Sequence, residues 1–239
     1  MIRKNRTMDA MKTMASAITH DFNNILTTIS YSIELAMGDI PENSLTYEDL
    51  DRVLKTSLEA GQYIREIMSF CKPAKSGVTT FDILPFAQEA VARIQKRIPE
   101  GTDFQCELPV ESHTAKADPE QLNEIFDHVI DNCVQSLAPS RGRIELKISY
   151  DRMPGQETDS ETCLKMSISD TGSGIPKDIM PFIFDPFFST KAKDAHKGLG
   201  LSIVYSLVEN HEGLIMVSSQ AFTQTVIHIY LPVVNPHDE

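Results

Sequence analysis

Apolar residues recur at Met11, Met14, Ile18, Phe22, Ile25, Ile29 and Ile33. Steps of three and four draw a single stripe along an α-helix. The pattern predicts a helix from about Asn5 to about Gly38, on the order of 50 Å long at 1.5 Å per residue. Pro41 and Asn43 mark a turn. A second helical pattern starts near Thr46 and carries Leu50, Val53, Leu54, Leu58, Ile64, Ile67, Met68 and Cys71, until Lys72-Pro73 ends it. Two striped helices joined by a short loop form a hairpin that cannot shield its own apolar faces. A dimer making a four-helix bundle is therefore expected.

Beyond a connector over 74–80 the texture changes to α/β. Asp82 to Ile94 reads as a helix and Phe104 to Leu108 as a short strand. Asp118-Pro119, a capping acid before proline at the first helical position, opens a helix bearing Leu122, Ile125, Phe126, Val129, Ile130 and Cys133. Arg143 to Tyr150 alternates as a strand, and Cys163 to Ile168 makes another, with a loop between them containing Pro154-Gly155. Leu199 to Glu209 is again helical. Ile215 to Val217 and Val226 to Leu231 close the sheet. The expected organisation is a helical hairpin domain over 1–73, a linker over 74–80 and an α/β sandwich over 81–239.

Charge and composition narrow the partners. The net charge of −12, from 34 acidic and 22 basic residues, makes nucleic acid an unsuitable ligand, since phosphate backbones are held by clustered Lys and Arg. The four cysteines have no C-x-x-C spacing, which argues against a zinc site or disulfide framework and fits a reducing compartment. No pair among the seven histidines stands at metal-ligand spacing on one helix face. No run approaches the roughly 18 to 20 apolar residues of a membrane span, and the basic start is not followed by a signal-peptide core. A soluble, cytoplasmic protein is expected.

Two groups of residues carry candidate chemistry. On the first helix His20 lies about 200° around from Ile18, at 100° per residue, and so points away from the apolar stripe. Asp21 is its neighbour and Asn24 stands one turn further on the same face. The second group is spread over the α/β part. Asp170-Thr171-Gly172-Ser173-Gly174-Ile175 directly follows a strand, and glycines two apart let the backbone approach a ligand. The acid at the strand end can accept from an exocyclic amine. Lys197-Gly198-Leu199-Gly200-Leu201-Ser202 leads into a helix whose first N–H groups suit phosphate. Four phenylalanines within 182–188 are expected to anchor a mobile lid over about Ser189 to Lys197. Asn132, on the helix opened by Asp118, offers a hard amide oxygen for Mg²⁺. The G-x-G-x-x-G and G-x-x-x-x-G-K-[ST] signatures are absent, which argues against Rossmann and P-loop sites.

Taken together and in this order, these stretches resemble the sensor histidine kinases of two-component signalling. His20-Asp21-Phe22-Asn23-Asn24 is similar to the phosphoacceptor box of the subfamily that reads H-D-F-N-N. Asn132 falls where the N-box has its magnesium asparagine. Asp170 to Gly174 is similar to the G1 box, Phe182 to Lys191 to the F-box, and Gly198 to Ser202 to the G2 box. The resemblance implies a dimerisation and histidine-phosphotransfer domain followed by an ATP-binding domain of the Bergerat (GHKL) type. It implies ATP and Mg²⁺ as cofactors, a homodimer, and the receiver domain of a response regulator as partner.

Residue by residue, the resemblance implies that His20 takes the γ-phosphate, that Asp21 fixes its tautomer, and that Asn24 orients water for hydrolysis of the partner's phosphoaspartate. Asp170 would select adenine with help from Thr225, while Gly172, Gly174 and Ile175 shape the pocket. Asn132 would hold Mg²⁺, Gly198, Leu199 and Gly200 would approach the triphosphate, and Lys191 would be a lid cation. The chain also departs from the family pattern. His128 stands where a second asparagine is usual, Gln135 follows three after Asn132, His196 replaces the first G2 glycine, and Gln224 precedes Thr225. Three functions stay in competition: an active autokinase, possessing or lacking a phosphatase activity, a non-catalytic phosphotransfer or signalling module with a degenerate ATP site, and a Bergerat-fold ATPase or serine kinase with no phosphohistidine.

Overall fold

The computed structural model describes residues 6–71, 77–110, 113–137, 142–155, 162–190 and 198–233, excepting the side chains of 6–21, 62 and 65–71. The chain divides into two compact units, 1–72 and 73–239.

The first unit holds α1 (Arg6–Gly38) and α2 (Leu45–Cys71). Ser44 caps α2: its hydroxyl accepts from Tyr47 N–H at 3.1 Å, and Glu48 adds a carboxylate to the first turn. The helices pack through Ser30 and Ser57, whose hydroxyls lie 3.0 Å apart, and through buried Ile33. Small hydroxyl residues at this contact let the two backbones approach. The other described residues of the expected stripe are not covered within one chain. Phe22, Ile25 and Ile29 of α1 and Val53 and Leu58 of α2 are each between 41% and 56% exposed. Leu26, Ile29, Val53, Thr56, Ser57 and Ala60 line an open groove along this pair. Among the described residues no helix is long and apolar enough to cross a membrane.

The second unit is built on a five-stranded sheet. Its strands are β2 (Asp103–Glu107), β4 (Arg143–Arg152), β5 (Thr162–Asp170), β6 (Leu214–Gln220) and β7 (Gln224–Pro232). The order is β2-β4-β5-β7-β6, with β2 parallel to β4 and the other pairs antiparallel. Three helices accompany it: α3 (Ile83–Gln95), α4 (Pro119–Leu137) and α5 (Gly200–Asn210). Strand alternation sorts the sheet into two faces. Leu146 and Ile148, Met166 and Ile168, and Ile227 and Ile229 are buried, whereas Glu145, Lys147 and Ser167 on the opposite face are not. Against this inner face lie Ile125, Phe126, Val129 and Ile130 of α4 and Ile203, Val204 and Leu207 of α5, all at most 1% exposed. Burying each such side chain stabilises the unit by about 1.5–3 kcal/mol.

Polar contacts fix how α4 and α5 lie. Asp118 caps α4, its Oδ1 accepting from Glu120 N–H at 2.9 Å. The Asp118 N–H donates to His211 Nε2 at 3.2 Å, and His211 Nδ1–H donates to the Leu207 carbonyl at 2.8 Å. A backbone N–H can only donate and a carbonyl can only accept, so His211 is held as the neutral Nδ1–H tautomer. The start of α4 is thereby tied to the end of α5, and the two helices run antiparallel.

One element was not foreseen. Strands β1 (Thr79–Asp82) and β3 (Thr114–Ala117) pair antiparallel as a second, two-stranded sheet. Each is four residues long, and Thr114-Ala115-Lys116-Ala117 has no bulky side chain to signal alternation. The strand β1 takes in Thr79 and Thr80, the last residues of the stretch expected as connector. Asp82 ends it and caps α3, accepting from Leu84 N–H at 3.2 Å.

Candidate nucleotide site

Asp170 is the last residue of β5 and pairs in register with Thr225 of β7. Both continue the inner row of the sheet, one step beyond the Ile168–Ile227 pair, and both are buried. A carboxylate at the rim of a core must be hydrogen-bonded. Asp170 Oδ1 accepts from Gly172 N–H at 2.9 Å and from the Ser136 hydroxyl of α4. Among the described residues Oδ2 receives no hydrogen bond, although the residue is only 4% exposed. One carboxylate oxygen is thus fastened to the fold, and the other is left to accept from a ligand.

The turn after Asp170 is gripped from two sides. A Cβ on Gly172 would stand 2.6 Å from the Ser136 carbonyl carbon and oxygen, so only glycine fits against α4 there. Ser173 N–H donates to the Ser136 carbonyl at 3.1 Å, and Phe222 N–H donates to the Ser173 carbonyl at 2.6 Å. Gly174 has φ +61 and lies against the β6–β7 turn, where a Cβ would come 2.8 Å from Gln220 C and 2.9 Å from Ala221 Cα. Both glycines therefore serve close packing of this turn against its neighbours. Ile175 N–H donates to Ser219 Oγ at 2.8 Å. The Ser219 proton goes to the Gln224 carbonyl at 2.7 Å. The 3.0 Å contact between the Ser219 and Thr225 hydroxyls is then a bond donated by Thr225, leaving Thr225 Oγ1 with acceptor lone pairs only.

The other end of the site forms where α5 begins. Gly198 is left-handed, with φ +72, and its missing Cβ would lie 2.6 Å from the carbonyl carbons of Phe187 and Phe188. The phenylalanine segment therefore touches the residues that lead into α5. Phe182 and Phe188 stack at 5.9 Å between ring centroids, Phe184 packs on Tyr205 of α5 at 5.3 Å, and Ile183 is buried. Leu199 holds the N-cap position and makes no side-chain hydrogen bond to the helix start. The first N–H groups of α5 are left without a side-chain cap, an arrangement suited to an anion. A Cβ on Gly200 would stand 3.6 Å from both Asn132 Nδ2 and His128 Nδ1.

The helix α4 joins the two ends. His128, Asn132 and Ser136 recur at i, i+4 and i+8, so they share one face. Ser136 reaches the buried carboxylate, while Asn132 and His128 meet the start of α5. Sequence reasoning named Asn132 and passed over Ser136 and Ser219, the residues that hold Asp170, Ile175 and Thr225 in place. Ser136 was within reach, being one helical turn beyond Asn132. Ser219 carried no signal, because only the strand register brings it beside Thr225.

Lys191, His196 and residues 191–197 of the lid expected over about Ser189 to Lys197 lie outside the described residues. So do the side chains of His20 and Asp21, whose backbone belongs to α1. Asn24 is an exposed α1 residue four before Thr28, whose hydroxyl donates to the Asn24 carbonyl at 2.9 Å.

Comparison with known proteins agrees with this geometry. Residues 117–235 match the family model described as histidine kinase-, DNA gyrase B-, and HSP90-like ATPase. The sensor kinase CckA of Brucella abortus is 26% identical over 94% of this chain, and the sensor protein FixL of Bradyrhizobium diazoefficiens is 29% identical over 94%. The chain spans 24% and 44% of the lengths of those two proteins. A crystal structure of full-length ShkA in complex with AMPPNP superposes on 93% of this chain and 46% of ShkA, with a TM-score of 0.75 at 18% identity. Residues 117–235 are thus similar to the histidine kinase-, DNA gyrase B-, and HSP90-like ATPases, within a chain similar along nearly its whole length to sensor histidine kinases.

Proposed function

We propose that the chain is an ATP-dependent histidine autokinase of the H-D-F-N-N type, which phosphorylates His20 and passes the phosphoryl group to an aspartate of a response-regulator receiver domain. The observation that carries this reading is the buried Asp170, with one oxygen bound to Ser136 and Gly172 and the other open. An adenine exocyclic amine is the donor that such an oxygen suits. Support at the phosphate end comes from the uncapped start of α5 beside Gly198 and Gly200.

Asp170 would read the base, with Thr225 accepting beside it and Ile175 lining the pocket. Leu199 and Gly200 would bring backbone N–H groups to the phosphates. The Asn132 amide, next to Gly200, fits Mg²⁺, a hard cation that would neutralise charge on the phosphates. On the helical unit, neutral His20 would attack the γ-phosphorus through Nε2. A nitrogen–phosphorus bond forms, the bond to the bridging β–γ oxygen breaks, and ADP leaves. Asp21 would accept from Nδ1–H and stabilise the positive charge that grows on the ring. Asn24 would orient a water against the phosphoaspartate in an opposing phosphatase reaction, in which a water–phosphorus bond forms, the bond to the aspartate oxygen breaks and inorganic phosphate leaves.

The uncovered apolar residues of α1 and α2 support dimerisation into a four-helix bundle, the solution that buries Phe22, Ile25, Ile29 and Val53. We place the reaction in the cytoplasm, in keeping with the free thiols of Cys106, Cys133 and Cys163.

The test is incubation of the chain with γ-labelled ATP and Mg²⁺ beside His20→Gln and Asn132→Ala. Label that is stable to base, labile to acid and absent from both variants is the expected result. Label surviving in His20→Gln would move the acceptor elsewhere. No label, with nucleotide binding also undetectable, would favour a phosphotransfer module with a degenerate ATP site, a reading that the departure at His128 supports.

A further inference from the structure

The inner face of the sheet ends in a polar row. Ser219 of β6 stands opposite Thr225 of β7, and Thr225 stands opposite Asp170 of β5. Two residues further in, the corresponding row is Val217, Ile227 and Ile168, which is wholly apolar. Asp170 and Thr225 are buried. Ser219 lies one strand further out, on β6 at the edge of the sheet.

The hydrogen-bonding capacity of Ser219 is fully used. Its Oγ accepts from Ile175 N–H at 2.8 Å and donates its one proton to the Gln224 carbonyl at 2.7 Å. A carbonyl only accepts, so this contact fixes where the proton goes. One lone pair remains, and Thr225 Oγ1 lies 3.0 Å away. The bond between the two hydroxyls is therefore made with the Thr225 proton. An ionised carboxylate such as Asp170 accepts by its nature, whereas a hydroxyl can serve in either sense. At Thr225 the neighbour decides, and Ser219 leaves it with lone pairs only. Both buried groups of the row thus accept. An exocyclic amine brings two protons to such a pair, and an oxo group in its place brings none.

We propose that Ser219 is a positioning residue for base selection: by holding the Thr225 proton it keeps that hydroxyl an acceptor, so that the site takes 6-amino purines and rejects 6-oxo purines. Ser219 acts through Thr225 and does not itself meet the base. Leaving a buried acceptor opposite another acceptor costs more than losing a good contact, which is why a fixed hydrogen-bonding sense discriminates. The inference rests on the reading that the base lies at Asp170, and its test separates the two.

AMPPNP and its inosine counterpart are titrated calorimetrically into the full chain and into Ser219→Ala, Ser219→Thr, Thr225→Val and the combination of Ser219→Ala with Thr225→Val. Circular dichroism confirms the fold of each. The wild type is expected to prefer the adenine analogue. In Ser219→Ala the Thr225 hydroxyl is free to donate to the 6-oxo group, and the preference narrows by about tenfold, the size of one hydrogen bond. Ser219→Thr retains a hydroxyl and keeps the wild-type ratio. In the Thr225→Val background Ser219→Ala leaves the ratio where it is, because the group through which it acts is gone. Equal weakening of both analogues in Ser219→Ala would make Ser219 a support of the turn alone and overturn the proposal. A narrowing that persists in the Thr225→Val background would overturn it too. Either result leaves the kinase reading standing, whereas a wild type that binds neither analogue would remove both readings.

Discussion

Asp170 Oδ1 accepts from the Ser136 hydroxyl, a bond that crosses from the end of β5 to the last turns of α4. Because Gly172 N–H uses the same oxygen, the carboxylate's orientation is fixed before any ligand enters. Ser136→Ala removes the donor and leaves the backbone contacts to Gly172 and Ser173 intact. The expected outcome is a folded protein whose affinity for an ATP analogue drops about ten- to 150-fold, the equivalent of about 1.5–3 kcal/mol for a hydrogen bond to a charged group. Calorimetric titration of AMPPNP checks this.

Gly174 and Gly200 separate a folding requirement from a binding one. At Gly174 the backbone is left-handed and a Cβ would strike the backbone of Gln220 and Ala221. Gly174→Ala is therefore expected to destabilise the second unit by about 1–3 kcal/mol, visible as a lowered Tm. At Gly200 a Cβ meets only ordinary contacts at 3.6 Å. Gly200→Ala should leave Tm within a degree or two and weaken nucleotide binding, since the methyl group enters the space beside Asn132.

His228 supplies a pH dependence that lies away from the site. Its Nδ1 lies 2.8 Å from Ser167 Oγ on the outer sheet face. Burial, and then the nearby Lys165 ammonium, push its pKa below the usual histidine value. A base with a depressed folded pKa binds fewer protons folded than unfolded, so stability rises with pH through that window. Its contribution is present above about pH 6.5 and is lost as pH falls through the folded pKa. Denaturant melts between pH 5 and 8 should show this slope in the wild type and a flatter one in His228→Gln.

Uncovered apolar residues on the helical unit make a prediction about assembly. Ile29 and Val53 both line the open groove between α1 and α2. Placing a charge there leaves the Ser30–Ser57 contact in place but makes burial against a second chain costly. Val53→Asp should sediment as a monomer where the wild type sediments as a dimer, with helical content retained by circular dichroism.

How far the sequence carried this picture follows from where its signals lie. Long periodic segments were legible: the stripe from Met11 to Ile33 marked α1, and Asp118-Pro119 marked the start of α4. The short strands β1 and β3 were not, because four residues such as Thr114 to Ala117 carry too little alternation to register. At the site, Asp170, Asn132 and the glycines were legible as motifs, but the reasons for the glycines were not. Gly172 and Gly174 read as ligand-approach residues, whereas their tight contacts are with Ser136 and with the β6–β7 turn. Those contacts join residues 34 or more apart in sequence, and only the strand register and the packing of α4 bring them together. The convergence of His128 with Gly200 was invisible for the same reason.

Asp170 itself offers the sharpest experiment. Its Oδ1 must accept from both Ser136 and Gly172, so in Asp170→Asn the amide oxygen takes that place and the NH₂ group turns toward the ligand. The pocket's acceptor becomes a donor, which opposes an adenine amine and suits a guanine carbonyl. AMPPNP and GMPPNP would be titrated into the wild type and into Asp170→Asn, with circular dichroism confirming the fold of each. A wild type that binds the adenine analogue preferentially, and a variant that loses about a hundredfold in AMPPNP affinity, about 2.8 kcal/mol, while its preference moves toward guanine, is the expected result. Equal binding of the two analogues by the wild type, or AMPPNP affinity unchanged in Asp170→Asn, would contradict the assignment of this buried carboxylate as the reader of the base.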